Sequence, residues 1–303
     1  MLTRTAERKG HNGSIYQLIR ADDGFYSVAG DGWLVHWPQN DPELGKMVAK
    51  VEGGQLYSMQ AIAEKNLLLA GDINGGLHWL YPEDQEKNQH RALHKKGIYT
   101  IHSDGRGRVF CGGGDGVLSK WSLESGRAIE SLPLAAAAVR SLCYFEAKNI
   151  LYAGVSDHHV YAIDPIKMQV IHHWKAHDNS VFSLVLRKES DGSHSLTSAG
   201  RDARIKRWQL GPDGLSVDVL KNIPAHNATI NELAYSPDGK YLATASRDKT
   251  IRLWEADSLK LLKSVEPIRD RGHVNSVNSI LWLDERCFVT AGDDRRILEW
   301  TLD

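Results

Sequence analysis

Cysteine is almost missing from this chain. Cys111, Cys143 and Cys287 are the only three in 303 residues. They are far apart, odd in number and set in apolar runs. They are expected to be buried free thiols in a reducing compartment, the cytoplasm, and not a disulfide framework. Net charge is nearly absent too. Lys and Arg total 37 against 38 Asp and Glu, which leaves −1. No global field therefore draws in nucleic acid or an anionic membrane surface. Long apolar runs are missing, and none reaches the ~18 residues of a membrane helix. Met1 to Gly10 lacks the apolar core of a signal peptide.

Recognisable ligand chemistry is scarce. His158-His159 and His172-His173 are adjacent pairs, but neighbours on a strand point to opposite faces and do not easily share an ion. Gly75-Gly76 and Gly112-Gly113-Gly114 precede neither a helix nor a lysine that would cradle phosphate, so they are expected to serve turns. No metal and no cofactor is expected.

What the chain does have is a repeat. Ser246-Arg247-Asp248-Lys249-Thr250-Ile251-Arg252-Leu253-Trp254 reads as a tight turn followed by an alternating strand that closes on Trp. The same pattern ends at Trp37, Trp121, Trp208 and Trp300, each with an Asp six residues earlier. Two degenerate copies end at Leu80, with Asn74 for Asp, and at Ile163, with Asp157 retained. The closing positions 37, 80, 121, 163, 208, 254 and 300 are 41 to 46 residues apart. That period suits one four-stranded propeller blade. An upstream His (His11, His94, His177, His226, His273) precedes its Trp by 26 to 31 residues, and an alternating apolar run follows it. Ser236-Pro237-Asp238-Gly239 is the clearest turn between the first two strands.

The His, the small residue with Asp, and the closing Trp resemble the WD-repeat family over essentially the whole chain. The resemblance implies an all-β, seven-bladed propeller, read here as a single domain spanning 1–303. It also implies a buried relay within each blade, from His through a Ser or Thr hydroxyl, with the turn Asp and the Trp indole. By position the full sets are His11, Ser27, Asp31, Trp37; His177, Ser198, Asp202, Trp208; His226, Thr244, Asp248, Trp254; and His273, Thr290, Asp294, Trp300. Blade three has Cys111 in the hydroxyl slot, so its relay is expected to be incomplete. Blades two and four have Glu52 and Ala135 in the His slot and should lack it. These sets mimic catalytic triads, but an active site is normally built once, so they read as structural.

The third strand of blade seven closes at Trp300, close to the last residue of the sequence. Leu2 to Ala6 is β-compatible and is expected to supply the missing fourth strand of that blade, latching the ring. Residues 82–91, polar throughout, are expected to be a solvated loop between blades two and three.

Function is expected on one face. The residue five after each His, or its equivalent, is Tyr16, Tyr57, Tyr99, Arg140, Phe182, Asn231 and Asn278. The residue before each turn Asp is Gly30, Ile73, Gly114, Ser156, Arg201, Arg247 and Asp293. Tyr and Arg dominate binding hot spots, and Arg captures anions bidentately. The expectation is a non-catalytic scaffold. Its partner would be a protein or peptide, with an acidic or phosphorylated group, held by Tyr16, Tyr57, Tyr99, Arg140, Phe182, Arg201, Asn231, Arg247, Asn278 and Asp293. An enzyme at the central channel mouth is the first alternative, but Asp293 is the only acid in the predicted crown. Nucleic-acid binding through Arg140, Arg201 and Arg247 is the second, and near-neutral charge weighs against it.

Overall fold

The turn Asp explains how each third strand begins. In blade one, the Asp31 carboxylate accepts the Trp33 N–H at 3.0 Å. Asp115, Asp202, Asp248 and Asp294 likewise accept the backbone N–H two residues on. The intervening residue has a left-handed φ, whether it is Gly32, Gly116, Ala203, Lys249 or Arg295. A side chain that hydrogen-bonds its own turn holds even a non-glycine residue there.

The computed structural model describes residues 2–39, 41 and 45–302. Their strands form seven four-stranded antiparallel sheets, and the fold is a seven-bladed β-propeller. Blade one comprises Ile15–Ala21, Gly24–Ala29, Trp33–Pro38 and Lys46–Lys50. Blade two comprises Leu56–Ile62, Leu67–Asp72, Gly76–Leu80 and Gln89–Ala92. Blade three begins at Ile98–Ser103, blade four at Val139–Phe145, blade five at Val181–Lys188 and blade six at Ile230–Tyr235. No α-helix occurs among the described residues, and none of their helical turns is long or apolar enough to cross a membrane.

Blade seven draws on both ends of the sequence. Val277–Trp282, Cys287–Gly292 and Arg296–Leu302 are joined by Leu2–Lys9, whose register runs from Leu2 opposite Leu302 to Lys9 opposite Arg296. The added strand reaches three residues further than Leu2 to Ala6. It continues past a bulge between Arg4 and Ala6, which puts Arg8 opposite Ile297.

Contacts group the chain into two compact units. One contains residues 1–73, 78–91 and 231–303, and the other residues 74–77 and 92–230. In the first, Leu2, Trp282, Phe288 and Trp300 share a core with Ile251 and Val277. In the second, Phe110, Leu118, Val139, Leu151 and Ile163 do so. Fully burying a side chain of this size contributes about 1.5–3 kcal/mol.

Residues 82–91 are not simply a loop. A short 3-10 turn at Gln85–Lys87 leads into Gln89–Ala92, the fourth strand of blade two. Its four residues are all exposed, so the strand carries no apolar alternation by which to recognise it.

Candidate functional site

The relay takes the same form in blades one, five and seven. His11 Nδ1 lies 3.1 Å from both Asp31 oxygens, its Nε2 lies 2.7 Å from Ser27 Oγ, and Trp37 Nε1 donates to that hydroxyl at 2.8 Å. His177, Asp202, Ser198 and Trp208 match it within 2.8–2.9 Å. His273, Asp294, Thr290 and Trp300 do so within 2.9–3.1 Å. An ionised carboxylate only accepts, so Nδ1 donates to it. In a neutral ring Nε2 then accepts the hydroxyl proton, and the hydroxyl oxygen accepts the indole N–H. Burial pushes Asp31, Asp202 and Asp294 up, but the hydrogen bonds from His and backbone N–H outweigh it and hold each below its ordinary value.

In blade six, Trp254 Nε1 donates to Thr244 Oγ1 at 3.1 Å, and His226 is buried. These sets resemble hydrolytic triads in atom order, but each hydroxyl is fully buried and already accepts an indole N–H. No substrate carbonyl reaches it.

Blade three corrects the expectation drawn from Cys111. Its relay is complete, because Ser119 on the third strand supplies the hydroxyl. His94 Nε2 and Trp121 Nε1 each lie 2.8 Å from Ser119 Oγ, and His94 Nδ1 lies 3.0 Å from Asp115. Ser119 stands directly opposite Cys111 in the sheet. The hydroxyl has moved to the facing strand and occupies the same space. Burial pushes the thiols up, to about 12 for Cys143 and about 11 for Cys287, and further for Cys111, which makes them poor nucleophiles.

Blades two and four use other pairs. Asp72 Oδ2 lies 2.7 Å from His78 Nε2, both residues buried. In blade four, Tyr161 Oη donates to Asp157 Oδ2 at 2.6 Å.

The residues five after the His, expected to lie on one face, share a repeated irregularity. In six blades the first strand pairs with the second, then slips by one residue. The slips fall between Ile15 and Gln17, Leu56 and Ser58, Ile98 and Thr100, Val139 and Ser141, Val181 and Ser183, and Val277 and Ser279. The residue left out is Tyr16, Tyr57, Tyr99, Arg140, Phe182 or Asn278. A bulge leaves one residue unpaired and re-aims its side chain. The position five after the His is that residue.

In the first unit, the Tyr16 and Tyr57 rings lie 4.2 Å apart, and Asn278 Nδ2 donates to Asp293 Oδ1 at 2.8 Å and to the Ile15 carbonyl at 3.0 Å. Asn231 Nδ2 donates to the Val277 carbonyl at 2.8 Å. Both Asn side chains thus tie strands together. Arg247 is exposed.

In the second unit, the Arg140 guanidinium lies 4.3 Å from the Tyr99 ring centre and 5.1 Å from that of Phe182. Its Nε donates to Ser156 Oγ at 3.2 Å. Gly114 keeps room for Tyr99, since a Cβ there would sit 2.7 Å from Cε2 of the ring. Arg201 is exposed in this unit.

A model of the WD domain, G-beta repeat, matches residues 217–255. The whole chain superposes on the WD40 beta propeller domain of Doa1 with a TM-score of 0.84 at 20% identity, covering 97% of that chain. The chain carries a WD repeat and has the fold of a WD40 propeller. Within this WD-repeat propeller the matched residues run from the start of the fourth strand of blade five to the end of the third strand of blade six. A component of chromatin assembly factor 1 from Gallus gallus is 30% identical over 142 residues, 40% of the propeller and 25% of that protein. Protein HIRA of Dictyostelium discoideum is 30% identical over 144 residues, 42% of the propeller and 13% of that protein. The propeller therefore spans a quarter or less of these relatives.

Proposed function

We propose that this propeller is a non-catalytic interaction module that holds a protein or peptide partner on the face presenting Tyr99, Arg140 and Phe182. The carrying observation is the Arg140 guanidinium held between two aromatic rings. Stacking fixes the plane of the guanidinium, and a guanidinium in a fixed plane is a natural donor to a carboxylate or phosphate. The rings add apolar area at low entropic cost. This supports a partner with an acidic or phosphorylated group next to an apolar anchor. Arg201 reinforces that sign of charge, and Tyr16, Tyr57 and Arg247 extend the same residue types along the sequence register.

A relative named for chromatin assembly supports a role inside a larger protein assembly. Three cysteines without a disulfide support a reducing compartment, and cell fractionation decides between cytoplasm and nucleus. Nucleic-acid contact is the second reading. It rests on Arg140, Arg201 and Arg247 and on the same relative, against a net charge of −1. A gel shift that weakens steeply with salt would favour it.

The test is quantitative affinity capture with the wild type and a Tyr57→Ala, Tyr99→Ala, Arg140→Ala triple variant, followed by peptide arrays of the captured partners with and without phosphate. Loss of a partner, and array binding that depends on an acidic group, supports the proposal. A triple variant that retains every partner overturns it.

A further inference from the structure

Blade two lacks the relay His, and the space that a relay His fills elsewhere is taken by a carboxylate. In blade three that space is kept open by Gly113. A Cβ on Gly113 would sit 2.2 Å from His94 Nδ1 and 2.2 Å from Asp115 Oδ1. Asp72 precedes Gly113 by 41 residues, as Leu80 precedes Trp121, so the two occupy the same repeat position. With Glu52 in the His slot no relay imidazole stands there, and a side chain can take this position.

His78 answers Asp72. It stands 41 residues before Ser119, at the repeat position that holds the relocated hydroxyl of blade three. A buried carboxylate needs a partner, and a buried imidazole beside it supplies one. That pair alone would replace the relay. It leaves His90 unexplained. His90 comes from the exposed fourth strand, and its ring centre lies 4.6 Å from that of His78. One ligand atom from each of Asp72, His78 and His90 lies within 4.8 Å of the other two, the only group of three among the described residues that clusters so tightly.

We propose that Asp72, His78 and His90 form a divalent metal site, of a chemistry suited to Zn²⁺. Two imidazoles and one carboxylate match the donors that Zn²⁺ takes at about 2.0–2.2 Å. Ca²⁺ and Mg²⁺ prefer all-oxygen shells, so imidazoles select against them. Ligand atoms around a tetrahedral ion of that bond length stand roughly 3.3 Å apart, so Asp72 and His78, now 2.7 Å apart, would open slightly as the His78 N–H gives up its proton, and the group of three, within 4.8 Å, would draw together on the ion. His90 is exposed, which leaves the fourth position to solvent. The ion would then pin the second, third and fourth strands of the blade that has no His relay.

The experiment uses the full chain, stripped of metal by chelator and titrated with ZnCl₂ by calorimetry. CoCl₂ serves in parallel as a probe of tetrahedral geometry by visible absorption. His90→Gln removes an exposed ligand and leaves the buried pair intact. His172→Gln, on the exposed fourth strand of blade four, is the control. The expected result is one Zn²⁺ per chain in the wild type and in His172→Gln. In His90→Gln the affinity should fall at least about tenfold, the tetrahedral cobalt spectrum should disappear, and Zn²⁺ should no longer raise the melting temperature. Absence of one-to-one binding in the wild type overturns the proposal. So does binding that His90→Gln and His172→Gln change equally.

Discussion

Arg8 lies 2.8 Å from Glu299, and its side chain is 2% exposed. The two residues sit on paired strands, one from each end of the sequence. The guanidinium also stands 5.2 Å from the centre of the Phe25 ring in blade one. One side chain therefore joins the added strand to blade seven and touches the next blade in the same unit.

Arg8→Ala should leave the Glu299 carboxylate without its ion-pair partner and should remove the contact with Phe25. Breaking a buried pair costs about 3 kcal/mol. Thermal melts should show a lower midpoint for Arg8→Ala, and a truncated chain lacking residues 1–8 should be lower still. A midpoint unchanged by either would refute the latch.

Ser119→Ala should cost more than Cys111→Ala. The first strands two buried donors or acceptors, on His94 and Trp121, at about 2–4 kcal/mol together. The second removes one small buried group, at about 1 kcal/mol. Urea unfolding of the two variants checks this, and the reverse order would place the hydroxyl role back on the second strand.

Acid should unfold the protein through the turn carboxylates. Asp31, Asp115, Asp202 and Asp294 are held below their ordinary value in the fold. The stability they contribute is present above the unfolded value near pH 4 and is lost as pH falls through the lower folded values. Unfolding free energy measured from pH 5 to pH 2 should decline more steeply in the wild type than in Asp202→Asn, which has one such group fewer.

Glu232 should act with the opposite sign. Burial pushes its carboxyl up to about 7, against hydrogen bonds from the Ser279 side chain and the Ile280 N–H, the latter at 2.7 Å. The folded state then holds a proton that the unfolded state has released between about pH 4.5 and 7, so stability falls as pH rises through that window. Glu232→Gln keeps an acceptor for Ile280 and never ionises. Its melting temperature should exceed the wild type's at pH 8 and match it at pH 5. Equal melting temperatures at pH 8 would show that the carboxylate is not confined.

The Glu232 contact belongs to a pattern that periodicity alone does not reveal. The residue six after the His reaches the next first strand in the same unit: Gln17 Oε1 accepts from Met59 N–H at 2.5 Å, and Ser279 Oγ from Leu18 N–H at 3.0 Å. Gln, Ser and Glu share no obvious motif. What they share is a place beside a backbone N–H just past the bulge.

The repeat was legible in the sequence because it is local. A turn Asp, a left-handed residue and a strand closing on Trp are set by hydrogen bonds and sterics spanning a few residues, and recurrence at 41 to 46 residues marked each blade. The position five after the His was equally regular, since in six blades one bulge recurs there. Substitutions across strands were not legible. Ser119 for the hydroxyl of blade three, and the Asp72–His78 pair in place of the relay of blade two, fill shared space from different chain positions. Only tertiary packing decides that, because a buried polar group requires a partner within about 3 Å and is indifferent to which strand provides it.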